Sequence, residues 1–261
     1  MRMPMLFVSH GSPMTAITQD DYTVALWDFA ATLPSPRAIV CVSAHWESGP
    51  PIRVTSAARP SLIHDFGGFP DAMYALTYPC AGAPALAKDI VARLESVGQH
   101  AVLDASRGLD HGAWVPLRIM FPRAHVPVVQ VSLPVARTPG DVLAMGRALA
   151  ALRDEHVFLV GSGGIVHNMR RLVEEERAPD VGWAAEFDAW ARDHIERGDI
   201  DALLAYAQLA PDAHLAVPTS EHWDPLYAVL GAIGAQDRLR IIYEGFRYGT
   251  LSMRTFAYGA E

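Results

Sequence analysis

The sequence predicts a single-domain α/β fold with a central, mostly parallel or mixed sheet flanked by helices. Apolar runs rich in Val and Ile recur along the chain, among them residues 6–9, 39–44 and 157–160, and each is followed closely by a polar or Gly/Ser-rich turn. Such runs are typical of strands buried on both faces. Segments with helical periodicity separate them, so that strands and helices alternate as in an α/β protein.

The individual elements follow from local signals. Helix 22–33 places Tyr22, Leu26 and Phe29 on one face, and Thr138 caps a helix that begins at Pro139. Asp224 is likewise expected to cap a helix that begins at Pro225. The predicted helices span residues 22–33, 83–97, 139–153, 183–197 and 200–209. The predicted strands span residues 6–9, 39–44, 52–54, 101–103, 126–133 and 157–160, with a closing antiparallel pair at 239–244 and 251–258. Residues 49–78 otherwise form a long loop, and loops of that length are often functional.

Composition excludes several classes of protein. The chain has 261 residues, 51% of them hydrophobic, which is enough for one large core across residues 1–261. The net charge of −8 comes without any Lys/Arg cluster, which argues against a nucleic-acid partner. No apolar stretch reaches membrane-spanning length, so no membrane partner is expected. Cys41 and Cys80 form neither a disulfide framework nor a CxxC pair, which predicts a reducing, cytoplasmic location. We expect a monomer or a small homo-oligomer.

Five histidines lie at the ends of predicted elements. His10 and His45 end two of the apolar runs, His167 follows the glycine-rich turn after the run 157–160, and His111 and His222 lie in turns before apolar segments. The carboxyl ends of parallel strands share one sheet edge, where ligands bind. A lone histidine at a strand end is more often structural, but five together indicate a site. Imidazole binds Fe(II) and Zn(II), and it transfers protons near neutral pH.

Seven motifs in a specific order carry a resemblance to a known family. They begin at Phe7 (FVSHGSP), Val42 (VSAHW), His64 (HDFGGFP), Asp110 (DHGAWVPL), Gly161 (GSGGIVHN), Glu221 (EHWDPL) and Tyr243, the last running to Tyr258. Over nearly its whole length the chain resembles the class III extradiol ring-cleavage dioxygenases, and more closely the 4,5-DOPA dioxygenase-like subgroup.

The resemblance implies roles for the histidines. His10, His45 and His222 would be the metal ligands. Glu221 and His222 are neighbours in a segment predicted to be extended, where successive side chains point to opposite sides, so only one of them is expected to bind the ion. His167 would be either a fourth ligand or an acid/base catalyst. His111 would be a proton-transfer group that faces the substrate.

The implied activity is oxidation of a catechol, DOPA-like or related, by O2 at a non-haem Fe(II). The ring opens next to its two hydroxyls and yields a muconic semialdehyde, a reaction of aromatic compound metabolism. Trp46, His64, Phe66 and Phe69 would line the substrate entrance, although ordinary loop packing explains them equally well. Two alternatives stay open at this point: a zinc-dependent hydrolase that uses the same histidines, and a binding protein that has lost catalysis.

Overall fold

The computed structural model describes residues 2–259 and is organised around one eight-stranded sheet. The strands are β1 (Met5–Ser9), β2 (Ala38–Ser48), β3 (Ile52–Thr55), β4 (Ala101–Asp104), β5 (Val128–Pro134), β6 (Val157–Gly163), β7 (Arg238–Tyr243), β8 (Phe246–Arg247), β9 (Leu251–Ser252) and β10 (Thr255–Gly259). Strands β8 and β9 form a separate hairpin, and the other eight follow the order β4-β3-β5-β2-β6-β1-β10-β7.

The four central strands run in the same direction. Strand β2 pairs in parallel with β5 and β6, and β6 pairs in parallel with β1. Antiparallel pairs occur toward the two edges, where β10 joins β1 and β3 joins β5. The sheet is therefore mixed around a parallel centre, as predicted, and the carboxyl ends of β1, β2, β5 and β6 share one edge.

Helices cover both faces of the sheet. They are α1 (Asp21–Thr32), α2 (Asp71–Tyr74), α3 (Pro84–Ser96), α4 (His111–Met120), α5 (Pro139–Leu149), α6 (Gly182–Arg197), α7 (Ile200–Leu204), α8 (Tyr206–Leu209), α9 (Ala213–Ala216) and α10 (Pro225–Gly231). Short 3-10 helices span Pro13–Ala16, Ala150–Glu155 and Ser220–His222.

The central strands alternate between two hydrophobic cores. Along β1, Met5 and Phe7 enter one core together with side chains of α3, α5, α6 and α10, whereas Leu6 and Val8 enter the other with side chains of α1 and α4. All four residues are fully buried. The unbroken apolar runs of the sequence thus reflect strands with a packed helix layer on each face.

Several predicted elements have different bounds in the structure. Helix 139–153 changes to a 3-10 helix after Leu149, and helix 200–209 is interrupted at Ala205. The segment 251–258 forms two strands, and only the second, β10, pairs with β7. Asp224 precedes α10 as expected, but its carboxylate makes no capping hydrogen bond. It accepts instead from the side chains of Arg137 and Ser220.

Helix α4 was not predicted. The sequence around His111 contains Gly112 and Pro116, both poor residues for a helix interior. The helix forms because Asp110 caps its first turn and because most of its side chains are buried between the sheet and α1. Tertiary burial here outweighs local propensity.

Candidate active site

The histidines of the parallel strand ends meet at the carboxyl edge of the sheet. His10 directly follows β1, and its backbone N–H donates to the carbonyl of Gly163 at the end of β6. His45 lies within β2 rather than at its end, because β2 continues to Ser48. The parallel pairing of β2 with β6 stops at Ser43, however, so His45 is beyond the paired region and faces His10.

His222 reaches the same edge from a different part of the chain. It ends the 3-10 helix Ser220–His222, so the extended conformation predicted for Glu221 and His222 is wrong. The carbonyl of His222 accepts a hydrogen bond from the backbone N–H of Gly164. A Cβ atom on Gly163 would overlap that carbonyl. Glycine at the last position of β6 therefore allows the turn that carries His222 to pack against the sheet edge.

Three imidazoles converge in a way that can hold a metal ion. One ring nitrogen from each of His10, His45 and His222 lies within 4.8 Å of the other two. The Nε2 atoms of His10 and His45 are 2.9 Å apart. His10 and His222 are buried, and His45 is only partly accessible. Three imidazole nitrogens in this arrangement suit a transition-metal ion.

The hydrogen bonds of His10 orient its lone pair toward the other two rings. The Ser162 hydroxyl donates to the carbonyl of Gly112 at 2.5 Å, which uses its one proton. The contact of 3.0 Å between Ser162 Oγ and His10 Nδ1 therefore requires the histidine to donate. The proton lies on Nδ1, and Nε2 presents a lone pair.

The same logic applies to His222. Its Nδ1 lies 3.1 Å from the Glu221 carboxylate, which can only accept a hydrogen bond when ionised. Burial alone would raise the pKa of Glu221, but its hydrogen bonds, with that of His222 the largest, lower it to about 2. The buried Nε2 of His222 has no hydrogen-bond partner among residues 2–259. A buried polar atom without a partner is costly, and a bound ion would satisfy it.

A second group links His45 to His111 through Asp65. The Asp65 carboxylate lies 3.0 Å from Nδ1 of His111 and 3.6 Å from Nδ1 of His45. At 3.0 Å the carboxylate is close enough to favour a proton on Nδ1 of His111, although within residues 2–259 this nitrogen has no well-aligned hydrogen bond. Asp65 also accepts from the backbone N–H of His111. Burial opposes ionisation of Asp65, but the contacts with His111 lower its pKa to about 2.

His167 stacks on His222 instead of joining the group of three ring nitrogens. The two rings are nearly parallel, with an interplanar angle of 6° and 3.4 Å between centroids. The backbone N–H of His167 donates to the carbonyl of Ala216, and this hydrogen bond fixes the position of the loop after β6.

Burial keeps His10, His45 and His167 neutral. It lowers the pKa of His10 well below its usual value, and burial together with the neighbouring imidazoles lowers the pKa of His45 to about 2 and that of His167 to about 3. Adjacent imidazolium ions would repel each other in this space. At neutral pH each of these three rings is therefore uncharged and has one nitrogen with a free lone pair.

The histidines border a cavity of about 330 Å³. His10, His45, His111 and His167 face it, and the remaining wall is largely apolar. Its other residues are Gly11, Ser12, Pro13, Phe66, Phe69, Met169, Leu172, Tyr248 and Leu251.

Of the four residues predicted to line the entrance, Phe66 and Phe69 border the cavity, whereas His64 and Trp46 do not. His64 lies behind Phe66, where its ring contacts Phe66 and Trp114 and its Nε2 lies 3.2 Å from a backbone carbonyl. Trp46 is buried beneath the guanidinium of Arg107. It follows His45 on β2, so it points to the other side of the strand.

Comparison with known proteins agrees with this geometry. The family described as the catalytic LigB subunit of aromatic ring-opening dioxygenase matches residues 4–257. The chain belongs to this family. Its members include ring-cleaving oxidoreductases, and this chain is an enzyme of that type.

Relatives of this LigB-family enzyme match nearly its whole length. The 4,5-DOPA dioxygenase extradiol of Escherichia coli K12 is 40% identical and covers 99% of this chain and 95% of its own length. The protein of the same name from Beta vulgaris is 36% identical over 97% of this chain and 95% of its own. The crystal structure of an uncharacterized Escherichia coli K12 protein is 35% identical, with a TM-score of 0.85 and coverage of 99% of this chain and 100% of its own.

The sequence reasoning missed several polar residues that position the LigB-family site. Asp110 is buried, caps α4, and accepts hydrogen bonds from Ser43, Gln130 and Arg107. It thereby ties β2 and β5 to the start of α4. Asp110 was visible in the motif that begins with it, and Asp65 in the motif HDFGGFP, but neither motif indicates which histidines these carboxylates approach.

No helix between residues 2 and 259 is both long and apolar enough to cross a membrane.

Proposed function

We propose that this enzyme is an Fe(II)-dependent extradiol dioxygenase that opens the ring of a catechol next to its two hydroxyls and forms a muconic semialdehyde. The observation that carries the proposal is the convergence of three imidazoles, two of which line a largely apolar cavity, with His111 and its neighbouring carboxylate beside them. A metal site alone would fit many reactions. The family membership narrows the reaction to aromatic ring opening.

His10, His45 and His222 would hold the ion. Nε2 of His10 and Nε2 of His222 carry lone pairs because Nδ1 of each ring donates a hydrogen bond. The third ligand atom, Nε2 of His45, lies 2.9 Å from Nε2 of His10. An iron bound there supplies the redox chemistry with O2 that the protein's own side chains lack. Three neutral ligands would leave its two positive charges uncompensated, which favours a dianionic or monoanionic catecholate. His167, which stacks on His222, is left outside this proposed ligand set.

The cavity would hold the aromatic ring. Phe66 and Phe69 make an edge-to-face pair with 5.2 Å between centroids, and Phe66 also contacts the ring of His111. Apolar and aromatic walls bury a flat ring favourably and exclude water from the floor of the site. Because the relatives are named for 4,5-DOPA cleavage, DOPA is the first substrate to test, together with related catechols.

His111 would be the group that moves protons. Asp65 stays ionised and faces Nδ1 of His111, which keeps the proton on that nitrogen and leaves Nε2 as the base. His111 borders the cavity, so Nε2 can accept a proton from a catechol hydroxyl. His167 borders the same cavity with a low pKa, and we propose an acid/base or orienting role for it rather than metal binding.

Anaerobic loading with Fe(II) and ascorbate, followed by O2 and a catechol, tests the proposal. We expect O2 uptake and a yellow semialdehyde with DOPA, caffeate or protocatechuate, and neither with zinc-loaded protein, because zinc has no redox chemistry. Ester or amide hydrolysis by the zinc form without O2 uptake would instead support a zinc hydrolase. Metal and catechol binding without any turnover would support a non-catalytic binding protein.

The cytoplasmic location and the monomeric or small homo-oligomeric state remain predictions. Both cysteines are free and buried, which fits a reducing compartment.

A further inference from the structure

The interior of α4 contains a proline that removes a backbone hydrogen bond. Pro116 has no N–H, so it cannot donate to the carbonyl of Gly112, which lies four residues earlier. A proline ring also crowds the carbonyl at that position and tilts it away from the helix axis. A buried carbonyl needs another donor, and the Ser162 hydroxyl supplies it at 2.5 Å.

This bond determines what Ser162 can do on its other side. A hydroxyl has one proton, and Ser162 uses it on Gly112, so its contact of 3.0 Å with His10 Nδ1 is one in which His10 donates. Ser162 is fully buried, and His10 is 2% exposed. Because both side chains are shielded from solvent, these protein contacts determine that the Ser162 hydroxyl donates to Gly112 and that Nδ1 of His10 donates to Ser162.

We propose that Pro116 and Ser162 are positioning residues that set the tautomer of His10. By leaving the Gly112 carbonyl open, Pro116 orients the Ser162 hydroxyl; by accepting from Nδ1, Ser162 places the free lone pair of His10 on Nε2, 2.9 Å from Nε2 of His45. Pro116 is unfavourable for the helix, but it helps to hold the proposed ligand His10 in the tautomer that can bind metal. The inference rests on the proposed metal site, and it concerns neither the substrate nor the reaction.

The neighbouring geometry supports this division of roles. A Cβ on Gly112 would overlap the Ser43 hydroxyl and press on the His45 ring, so the first turn of α4 packs directly against β2. On β6, Ser162 pairs in register with Ser43 of β2 and Val8 of β1. The hydroxyl of Ser162 is thus held between the two strands that lead to His10 and His45.

Two variants test the inference in metal-free protein. Nitrogen NMR of 15N-histidine-labelled protein reports the tautomer of His10, whose signals are assigned by their loss in His10→Gln. Wild-type protein should show the proton on Nδ1. In Ser162→Ala this preference should be lost, and the affinity for Zn(II), measured by competition with a chelating dye, should fall about 10- to 100-fold, the usual effect of removing the hydrogen-bond partner of a ligand.

Pro116→Ala provides the sharper test. It restores an N–H that competes for the Gly112 carbonyl, so the tautomer preference and Zn(II) affinity should weaken, though by less than in Ser162→Ala. Its stability should be equal to or higher than that of wild type, because Ala is the better helix residue. Weaker metal binding in a protein that is no less stable cannot be explained by general loss of structure.

Two variants serve as matched controls. Ser132→Ala removes a buried hydroxyl that is hydrogen-bonded to Ser48. Pro139→Ala replaces a proline in the first turn of α5, where no backbone N–H is needed. Neither should change the His10 signals. An unchanged tautomer and Zn(II) affinity in Ser162→Ala would overturn the inference, and an unchanged tautomer in Pro116→Ala would remove Pro116 from it. Because no readout uses a catechol, a protein that fails to cleave catechols but passes these tests would refute only the proposed function.

Discussion

The backbone of Gly163 packs against the carbonyl oxygen of His222, with no room for a side chain between them. The adjacent Gly164 donates its N–H to the same carbonyl at 2.8 Å. Strand β6 therefore positions a histidine that lies about sixty residues later in the chain. This contact connects the glycine-rich turn of the sequence to the metal site.

Gly163→Ala should displace the turn that carries His222. Overpacking of this kind costs about 1–3 kcal/mol of stability, and it should also weaken Zn(II) binding because one proposed ligand moves. Thermal unfolding and zinc titration measure the two effects. Gly182→Ala is the control, since a Cβ there meets no atom within 4 Å in the part of the chain that the structure describes. Wild-type zinc affinity in Gly163→Ala would mean that the position of His222 does not matter for the metal.

Replacing His10, His45 or His222 by Ala should remove most of the bound metal and leave the fold intact. The sheet does not need these side chains for either hydrophobic core. Elemental analysis and circular dichroism measure both properties, with the exposed His125→Ala as control. Full metal occupancy in His10→Ala would contradict the assignment.

His111→Ala and Asp65→Asn should keep their metal and lose turnover. The expected loss is about 10²–10⁴-fold, which is what a positioned acid or base usually contributes. Iron content and O2 uptake with the best catechol separate binding from catalysis. Asp65 with His45 and His111 also forms a group whose ligand atoms lie within 4.8 Å of one another. Loss of metal in Asp65→Asn would therefore favour that group as the metal site.

His167→Ala should also retain its iron, because we place His167 outside the ligand set. Its turnover should fall, since the ring borders the cavity and stacks on His222. Iron affinity and O2 uptake, measured side by side with His111→Ala, test this prediction. A variant that loses iron would add His167 to the ligands, and one with wild-type turnover would exclude an acid/base role.

Asp237→Ala should destabilise the protein by about 3–5 kcal/mol, since it leaves the fully buried Arg153 guanidinium without its carboxylate. Asp154→Ala removes an exposed partner of Arg2 and should cost at most about 1 kcal/mol. Chemical denaturation at pH 7 compares the two variants.

The Arg153–Asp237 pair also predicts a pH dependence. Burial opposes ionisation of Asp237, but the hydrogen bonds from Arg153 and the Gly234 backbone outweigh burial and lower its pKa. The folded protein therefore binds this proton less readily than the unfolded chain. The stability from the pair is present above the unfolded pKa of about 4 and is lost as pH falls through the lower folded value. Denaturation between pH 3 and 6 should show a steeper loss in wild type than in Asp237→Ala; equal slopes would contradict the prediction.

The sequence alone predicted the fold class and indicated that five histidines at the ends of elements come together, and the structure brings their rings close to one another. Buried strands appear as unbroken apolar runs, and parallel strands align their carboxyl ends, so residues such as His10 and His45 can be expected to meet. The glycine-rich turn before His167 could also be recognised in the sequence. In the structure its glycines leave room for the backbone of His222 to pack against β6.

Only the tertiary structure decided how the side chains are arranged around these histidines. Asp65 approaches His45 and His111 from a long loop, and Trp46 points away from the cavity. Ser162 contacts both His10 and the carbonyl of Gly112. Local patterns determine where strands and turns occur because they reflect burial and backbone geometry within a few residues. Hydrogen-bond partners and ring stacking depend on which distant segments pack together, and that is determined by the whole core at once.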